Sequence, residues 1–376
     1  MSLDPPIRQT ETGLAGHAPV PTGAPERPGE APAETSSVTT DESHRHRLRT
    51  ALYVLVTAAT IAFSYLALRD LNFDRVWHAL RYSSYGWLIP ALVVFAAATV
   101  ARAVRWRALF APERRPPLGA VTNAMLVGYL FNNIMPARAG EAARVVALTK
   151  RAGTPPAEAL GTVVVERVFD VLSILVIFFA AAPWLPSVSW FRGAAIAAIV
   201  LAVALGAVIV VLAVYGDRPL HFVLRPLSRL PVLSIERVEA LGHELVEGLS
   251  GLRRPRVAFA ALAWSLIAWL LSAISAWLAT YAFGLHLGLD AGVLVVVALG
   301  LAMILPSPPA AVGVFEAAAL LALDAYGKAQ ETALPYAIVL HMLNFLPFVL
   351  AGVIALQINA AEGRRRARAL TAEGAS

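Results

Sequence analysis

The run Asn132-Asn133-Ile134-Met135-Pro136-Ala137-Arg138-Ala139-Gly140-Glu141-Ala142-Ala143-Arg144 places amides, guanidinia and a carboxylate between strongly apolar stretches. An ionisable side chain in hydrocarbon costs about 3 kcal/mol even on mild insertion scales, so such groups face a partner, a cavity or a ligand. Pro136 ends one helical segment, and Ala137 to Glu141 can begin another whose free N–H groups and positive dipole end favour an anion. Arg138 adds a planar guanidinium suited to two-point contact with a phosphate, and the helix start near Gly140 and Arg144 extend the same chemistry. In the competing reading Arg138 pairs with Glu141 or Glu166 only to neutralise the fold. Asn132 and Asn133 can satisfy backbone groups freed at the break or contact the ligand.

A second polar group lies in Thr162-Val163-Val164-Val165-Glu166-Arg167-Val168-Phe169-Asp170. At the helical rise, Glu166 sits roughly 14 Å in from Ala157, close to mid-membrane depth. Glu166 and Asp170 share a helix face and Arg167 lies three residues from Asp170, which allows a compact charge cluster. It can pair with Arg138 or Arg144, relay protons or hold a cationic headgroup. In the C-terminal half Pro309 and Gly313 repeat the Pro-x-x-x-Gly spacing of Pro136 and Gly140, with Glu316 close behind and His341 and Asn344 as further candidates. His341 suits a proton-coupled step, or a packing role. No dense His/Asp ligand motif and no phosphate-binding Gly-x-x-x-x-Gly-Lys loop is present, so neither a metal, a cofactor nor direct ATP drive is expected. The absence of cysteine excludes disulfides and thiolate catalysis.

These residues need membrane elements to position them. With 58% hydrophobic residues, 15% charged residues and a mean hydropathy of +0.66, the chain reads as an all-α polytopic membrane protein. The net charge of +6 comes from basic residues beside apolar segments, which is a topology and lipid-contact pattern and not a nucleic-acid one. Residues 1–43 are rich in Pro, Gly, Thr and Glu and are expected to be a disordered cytoplasmic tail without a signal-peptide core. A transmembrane domain is expected over 44–358 and a basic cytoplasmic tail over 359–376.

About six full spans are predicted, at 52–68, 87–104, 157–182, 193–215, 257–283 and 335–358, with a short amphipathic helix between Arg69 and Tyr85. Arg102, Arg105, Arg107, Arg114 and Arg115 read as a cytoplasmic mark after the second span. A full crossing by Leu118 to Met135 would put the connector arginines between Asp217 and Arg256, and Arg364 to Arg368, outside. A re-entrant hairpin that turns near Pro136 and leaves near Lys150 keeps them all inside. Gly292 to Leu305 and Val312 to Leu323 form a second hairpin or two short spans. Two interrupted segments entered from opposite faces are the pattern of an inverted-repeat transporter, or helix breakers placed independently.

The chain resembles the lysylphosphatidylglycerol synthase/flippase transmembrane-region family. The resemblance rests on Arg102-Ala103-Val104-Arg105-Trp106, on Asn132 to Arg144, on Glu166-Arg167-Val168-Phe169-Asp170, and on Leu305-Pro306-Ser307-Pro308 through Gly313-Val314-Phe315-Glu316, in the family's order. It covers roughly residues 50 to 358 of the chain. At Pro309-Ala310-Ala311 the chain departs from the glycines that members often carry. The resemblance implies lipid handling: a flippase-like translocase or lipid-binding transporter for a phospholipid or a polyprenyl-phosphate-linked lipid. The residues Asn132, Asn133, Arg138, Gly140, Glu141, Arg144, Glu166, Arg167, Asp170, Glu316, His341 and Asn344 would contact substrate and none would be catalytic. Only a short polar tail follows Ile358 in place of a soluble synthase domain, so aminoacyl transfer is not expected. The expected partner is a membrane lipid with an anionic headgroup, in a cell membrane, with both termini cytoplasmic. The oligomeric state stays open. The alternatives are a scaffold for a glycosyltransferase or lipid-modifying enzyme, and a membrane enzyme acting on lipid-linked phosphate through Glu141, Glu166 and Asp170.

Overall fold

The computed structural model describes residues 73–135, 139–186, 254–303 and 309–373, with isolated positions between 193 and 211. The expected tail 1–43, the spans 52–68 and 193–215, the connector 217–253 and Arg138 lie outside the described residues, apart from those isolated helical positions. Every regular element among the described residues is a helix. In chain order these are α1 (Phe73–Arg81), α2 (Leu88–Leu109), α3 (Leu118–Ile134), α4 (Gly140–Ala152), α5 (Pro156–Ala181), α6 (Pro255–Ala282), α7 (Leu289–Ala302), α8 (Val314–Asp324) and α9 (Gln330–Glu373).

Among the described residues three helical stretches, Tyr85–Leu109, Pro255–Ala282 and Gln330–Arg364, are long and apolar enough to cross a membrane. They display large apolar side chains on the bundle's outside, among them Ile89, Val93 and Val100 of α2 and Leu346, Leu350 and Ile354 of α9. In water such a surface would aggregate; against acyl chains it is at rest. Since lipid offers apolar helices no solvent to escape, their association depends on close packing, which small residues permit. Ala261, Ser265, Ala268, Ser272, Ser275, Ala276 and Ala279 form a buried stripe at helical spacing on α6. It meets Ala91, Ala98 and Ala101 of α2, where the Ser275 hydroxyl donates to the Ala91 carbonyl oxygen at 2.8 Å.

Between these spans the chain makes two helical hairpins. In the first, α3 and α4 pack on each other. Pro136 forces the residue before it out of the helical region, and Met135 is extended at φ −107°, ψ 144°. The helices close tightly at Gly128 and Gly140, because a Cβ on Gly140 would stand 1.9 Å from the Gly128 carbonyl oxygen. At the far end Gly153 takes the left-handed conformation, φ 69°, that terminates α4. In the second hairpin α7 and α8 pack together, and a short turn, Pro309–Ala311, leads into α8. Ala310 and Ala311 hold φ of 56° and 57° there. Glycine takes these angles freely whereas an alanine is strained by about 1 kcal/mol or more.

With 17, 13, 14 and 11 residues, α3, α4, α7 and α8 measure roughly 26, 20, 21 and 17 Å. Each falls short of a hydrocarbon core of about 30 Å. The Pro309–Ala311 turn contacts α3, so the second hairpin's tip reaches the first hairpin inside the bundle.

Several boundaries move from their sequence-based positions. α2 runs to Leu109 instead of ending at Val104, because nothing breaks the helix before Pro112. Arg105 and Trp106, expected beyond the membrane, are therefore buried at 1% and 0% exposure. α9 continues past Ile358 to Glu373, so the expected C-terminal tail is largely helical. The predicted amphipathic helix is α1, which packs on α9 with Trp77 exposed. Outside the spans Arg254 pairs with Glu113 at 3.0 Å, tying the start of α6 to the α2–α3 turn. The Glu113 carboxyl is held below its ordinary range by its own backbone hydrogen bond and by that guanidinium.

Gly140→Ala is expected to lower the thermal unfolding midpoint of the purified protein in detergent, at a cost of about 1–3 kcal/mol. Gly119→Ala, whose methyl would meet open space on α3, serves as the control and should leave the midpoint unchanged or slightly raised.

Candidate functional site

Where the two hairpin tips approach, the helices enclose a cavity of about 300 Å³. The charged part of its wall is built from three helices. Arg102 and Arg105 come from α2, Arg144 from α4, and Glu166, Arg167 and Asp170 from α5. Arg105 is at the centre: Nη2 lies 2.8 Å from Glu166 Oε1, and Nη1 lies 2.5 Å from Asp170 Oδ1 and 3.0 Å from the Ser265 hydroxyl. Arg144 Nη1 donates to both Glu166 oxygens at 3.1 Å, so one carboxylate serves two guanidinia. The Trp106 ring lies under the Arg144 guanidinium at 5.0 Å, and its Nε1–H is fixed by the Thr162 hydroxyl at 3.0 Å. Asp170 also accepts from Trp269 Nε1 at 3.0 Å. Arg167 turns to Glu141, 2.5 Å away.

This network leaves positive charge over. Four guanidinia, of Arg102, Arg105, Arg144 and Arg167, meet three carboxylates, of Glu141, Glu166 and Asp170. Arg102 binds the Ser272 hydroxyl at 2.7 Å and lies 5.8 Å from the Trp269 ring centre, with no carboxylate partner among the described residues. Arg144 is 4% exposed, and its Nε and Nη2 have no hydrogen-bond partner among the described residues. Buried donors of that kind are costly to leave unmade.

The opposite wall is apolar and aromatic. The Phe348 ring of α9 lies tilted against Tyr129 of α3 at 4.2 Å and against Phe95 of α2 at 5.2 Å between ring centres. At one end stands the second hairpin tip. His341 of α9 is 2.6 Å from Glu316 Oε1 through Nδ1 and 2.8 Å from the Ala310 carbonyl oxygen through Nε2, and its ring stacks on Phe315. The second Glu316 oxygen accepts from the Gly313 N–H at 2.7 Å.

Of the residues the sequence singled out, Asn132, Asn133, Arg144, Glu166, Arg167, Asp170, His341 and Asn344 line this one cavity. Glu141 and Glu316 hold residues that line it. Gly140 is used differently from the sequence reading: Asn132 Oδ1 accepts its N–H at 2.9 Å, so this amide is taken, and its missing side chain serves helix packing. Asn344 donates to the Leu340 carbonyl oxygen on its own helix, while Asn133 Nδ2 has no partner among the described residues. The pairing of Arg138 lies outside the described residues. Four residues were missed: Arg102, Arg105, Tyr129 and Trp269. For the two arginines a signal existed, since their spacing of three puts them on one face of a helix that no breaker stops.

A family model described as the lysylphosphatidylglycerol synthase TM region matches residues 51–352, most of the chain. A comparison with curated proteins gave no match.

Because Arg105 neutralises two buried carboxylates at once, Arg105→Gln is expected to destabilise the folded protein by about 3–5 kcal/mol. Thermal unfolding in detergent should show a large fall in midpoint. A midpoint unchanged from the parent would mean that water already reaches Glu166 and Asp170.

Proposed function

The chain belongs to the lysylphosphatidylglycerol synthase transmembrane-region family, a membrane family of lipid-related function, and from that premise we propose that it is a lipid translocase for an anionic phosphate headgroup and not an enzyme. The observation that carries this reading is the surplus cation in the bundle: among the described residues Arg102 has no carboxylate, and Arg144, which lines the same cavity, has two buried nitrogens without a hydrogen-bond partner. Arg144 Nε and Nη2 form the edge that a phosphate's paired oxygens fit, and a phosphate there would bring the missing negative charge. A cavity of about 300 Å³ has room for a headgroup but not for two acyl chains. The chains would stay in the bilayer, beside the apolar outer faces of α2 and α9. Phe95, Tyr129 and Phe348 would meet the glycerol or first methylenes.

Glu166 is engaged by two arginines, and Asp170 by Arg105 and the Trp269 indole N–H, so neither is poised as a general base. The distribution of arginines supports a placement in the cell membrane with both termini on the cytoplasmic side.

The test is transbilayer movement of fluorescent phosphatidylglycerol, phosphatidylcholine and a polyprenyl phosphate in liposomes holding the purified protein. Arg102→Gln is the variant of choice, because its removal strands no carboxylate and should leave the fold intact. Losing a charged hydrogen bond to phosphate should slow movement of the anionic lipids about tenfold or more, with little change for phosphatidylcholine. Equal rates in variant and parent would refute the site. No movement of any lipid by folded parent protein would favour the scaffold reading, with a glycosyltransferase or lipid-modifying enzyme to be sought among co-purifying proteins.

A further inference from the structure

The His341–Glu316 contact is built differently from the arginine network. The Ala310 carbonyl oxygen accepts only, so His341 Nε2, 2.8 Å away, must carry a hydrogen. The other ring nitrogen, Nδ1, then faces Glu316 Oε1 at 2.6 Å. That contact holds only when a proton lies in it, as imidazolium against carboxylate or as neutral imidazole against carboxylic acid. If the proton leaves for water, a carboxylate faces a bare nitrogen lone pair and the contact turns repulsive. His341 is 4% exposed, so water offers little relief.

This proton holds a strained piece of chain. Through Ala310 and Glu316, His341 fastens both sides of the turn in which Ala310 and Ala311 are left-handed. Strain of that kind persists only while the surroundings fix it. Ala310, Ala311 and Phe315 line the cavity described above, so the turn is part of its wall. We propose that the His341–Glu316 pair is a proton-binding site whose occupancy keeps this hairpin tip closed on α9, and that the proton is the coupling ion of the cavity.

The charges that face the pair across the cavity set the sign of the coupling. Arg102 and Arg105 of α2 and Arg144 of α4 are opposed by Glu166 and Asp170 of α5, with Arg167 of α5 turned to Glu141 and Tyr129 of α3 close by. The balance is positive. An anion entering the cavity cancels it and favours proton retention. By linkage a bound proton must strengthen anion binding by the same factor. The coupling rests on the translocase reading, whereas the proton site does not.

The chain has no cysteine, so Val312→Cys places one thiol beside the tip, at a residue that is 50% exposed. Its labelling rate by a water-soluble thiol reagent is compared with that in Val312→Cys/Glu316→Gln from about pH 6 to about pH 9. The glutamine amide can donate to Nδ1 and its oxygen can accept from Gly313, so the second protein should stay closed at every pH. Dividing the two rates removes the titration of the thiol itself. The ratio should start near unity in acid and rise about tenfold in alkali, the loss of one charged hydrogen bond. A flat ratio overturns the proton site, whatever lipids the protein moves. In the liposome assay an imposed pH gradient should drive anionic lipid across with parent protein and not with Glu316→Gln. Lipid movement indifferent to the gradient overturns the coupling while leaving the translocase reading intact.

Discussion

Glu166 accepts from Arg105 and Arg144 in a part of the bundle that water barely enters, and the surrounding helices are arranged to satisfy the carboxylate and most, though not all, of the guanidinium donors around it. Dehydrating ions is expensive, and the cost is recovered only when geometry is close and the remaining donors find partners. Here the partners come from different helices: Asp170 on α5, Ser265 and Trp269 on α6, and the Trp106 face on α2. Such convergence demands backbones that approach closely, which explains the stripe of alanine and serine along α6 and the glycine pair between α3 and α4. The residues that hold the fold and those that hold charge at the cavity are therefore largely the same.

Much of this was legible in the sequence because polar residues stand out against an apolar background. Asn132 to Arg144, Glu166 and Asp170 are conspicuous, and the structure brings their described members to one place. Pro136 and the Pro309–Gly313 stretch marked the two breaks for a local reason, the steric effect of proline on its neighbours. Arg102 and Arg105 were misread for an equally physical reason. Arginines near the end of a span look the same whether they stand in water as topology signals or turn inward to carboxylates. Only the partners on α5 and α6, more than sixty residues away in sequence, distinguish the two cases. The capping of Gly140 by Asn132 was hidden likewise, since it needs two helices to meet before the amide is taken.

The two hairpins are fastened by different chemistry. At the first, a neutral amide caps a backbone N–H and two glycines allow contact without strain. At the second, alanines occupy angles that glycine would take freely, and a histidine–carboxylate pair restrains them. The departure from glycine at Ala310 and Ala311 thus has a structural meaning: the turn is kept under tension, and its closed form depends on side chains from α8 and α9. One tip is fixed by shape and the other by a bond that can be made and unmade.

The 44 residues of α9 give it a length of roughly 66 Å, about twice the hydrocarbon thickness. Near its start it carries His341. Near its end Glu362 grips Arg151 of α4 through two contacts of 2.8 Å, with Asn359 adding a third at 2.6 Å. One continuous helix, with Pro347 between the two points, is thus pinned to both hairpins at points about 30 Å apart. A tilt at one pin is carried along this helix to the other, less whatever bend Pro347 absorbs, so widening the passage at one hairpin is felt as a sideways pull on its counterpart. The bundle need not open as a whole for its two ends to keep time with each other.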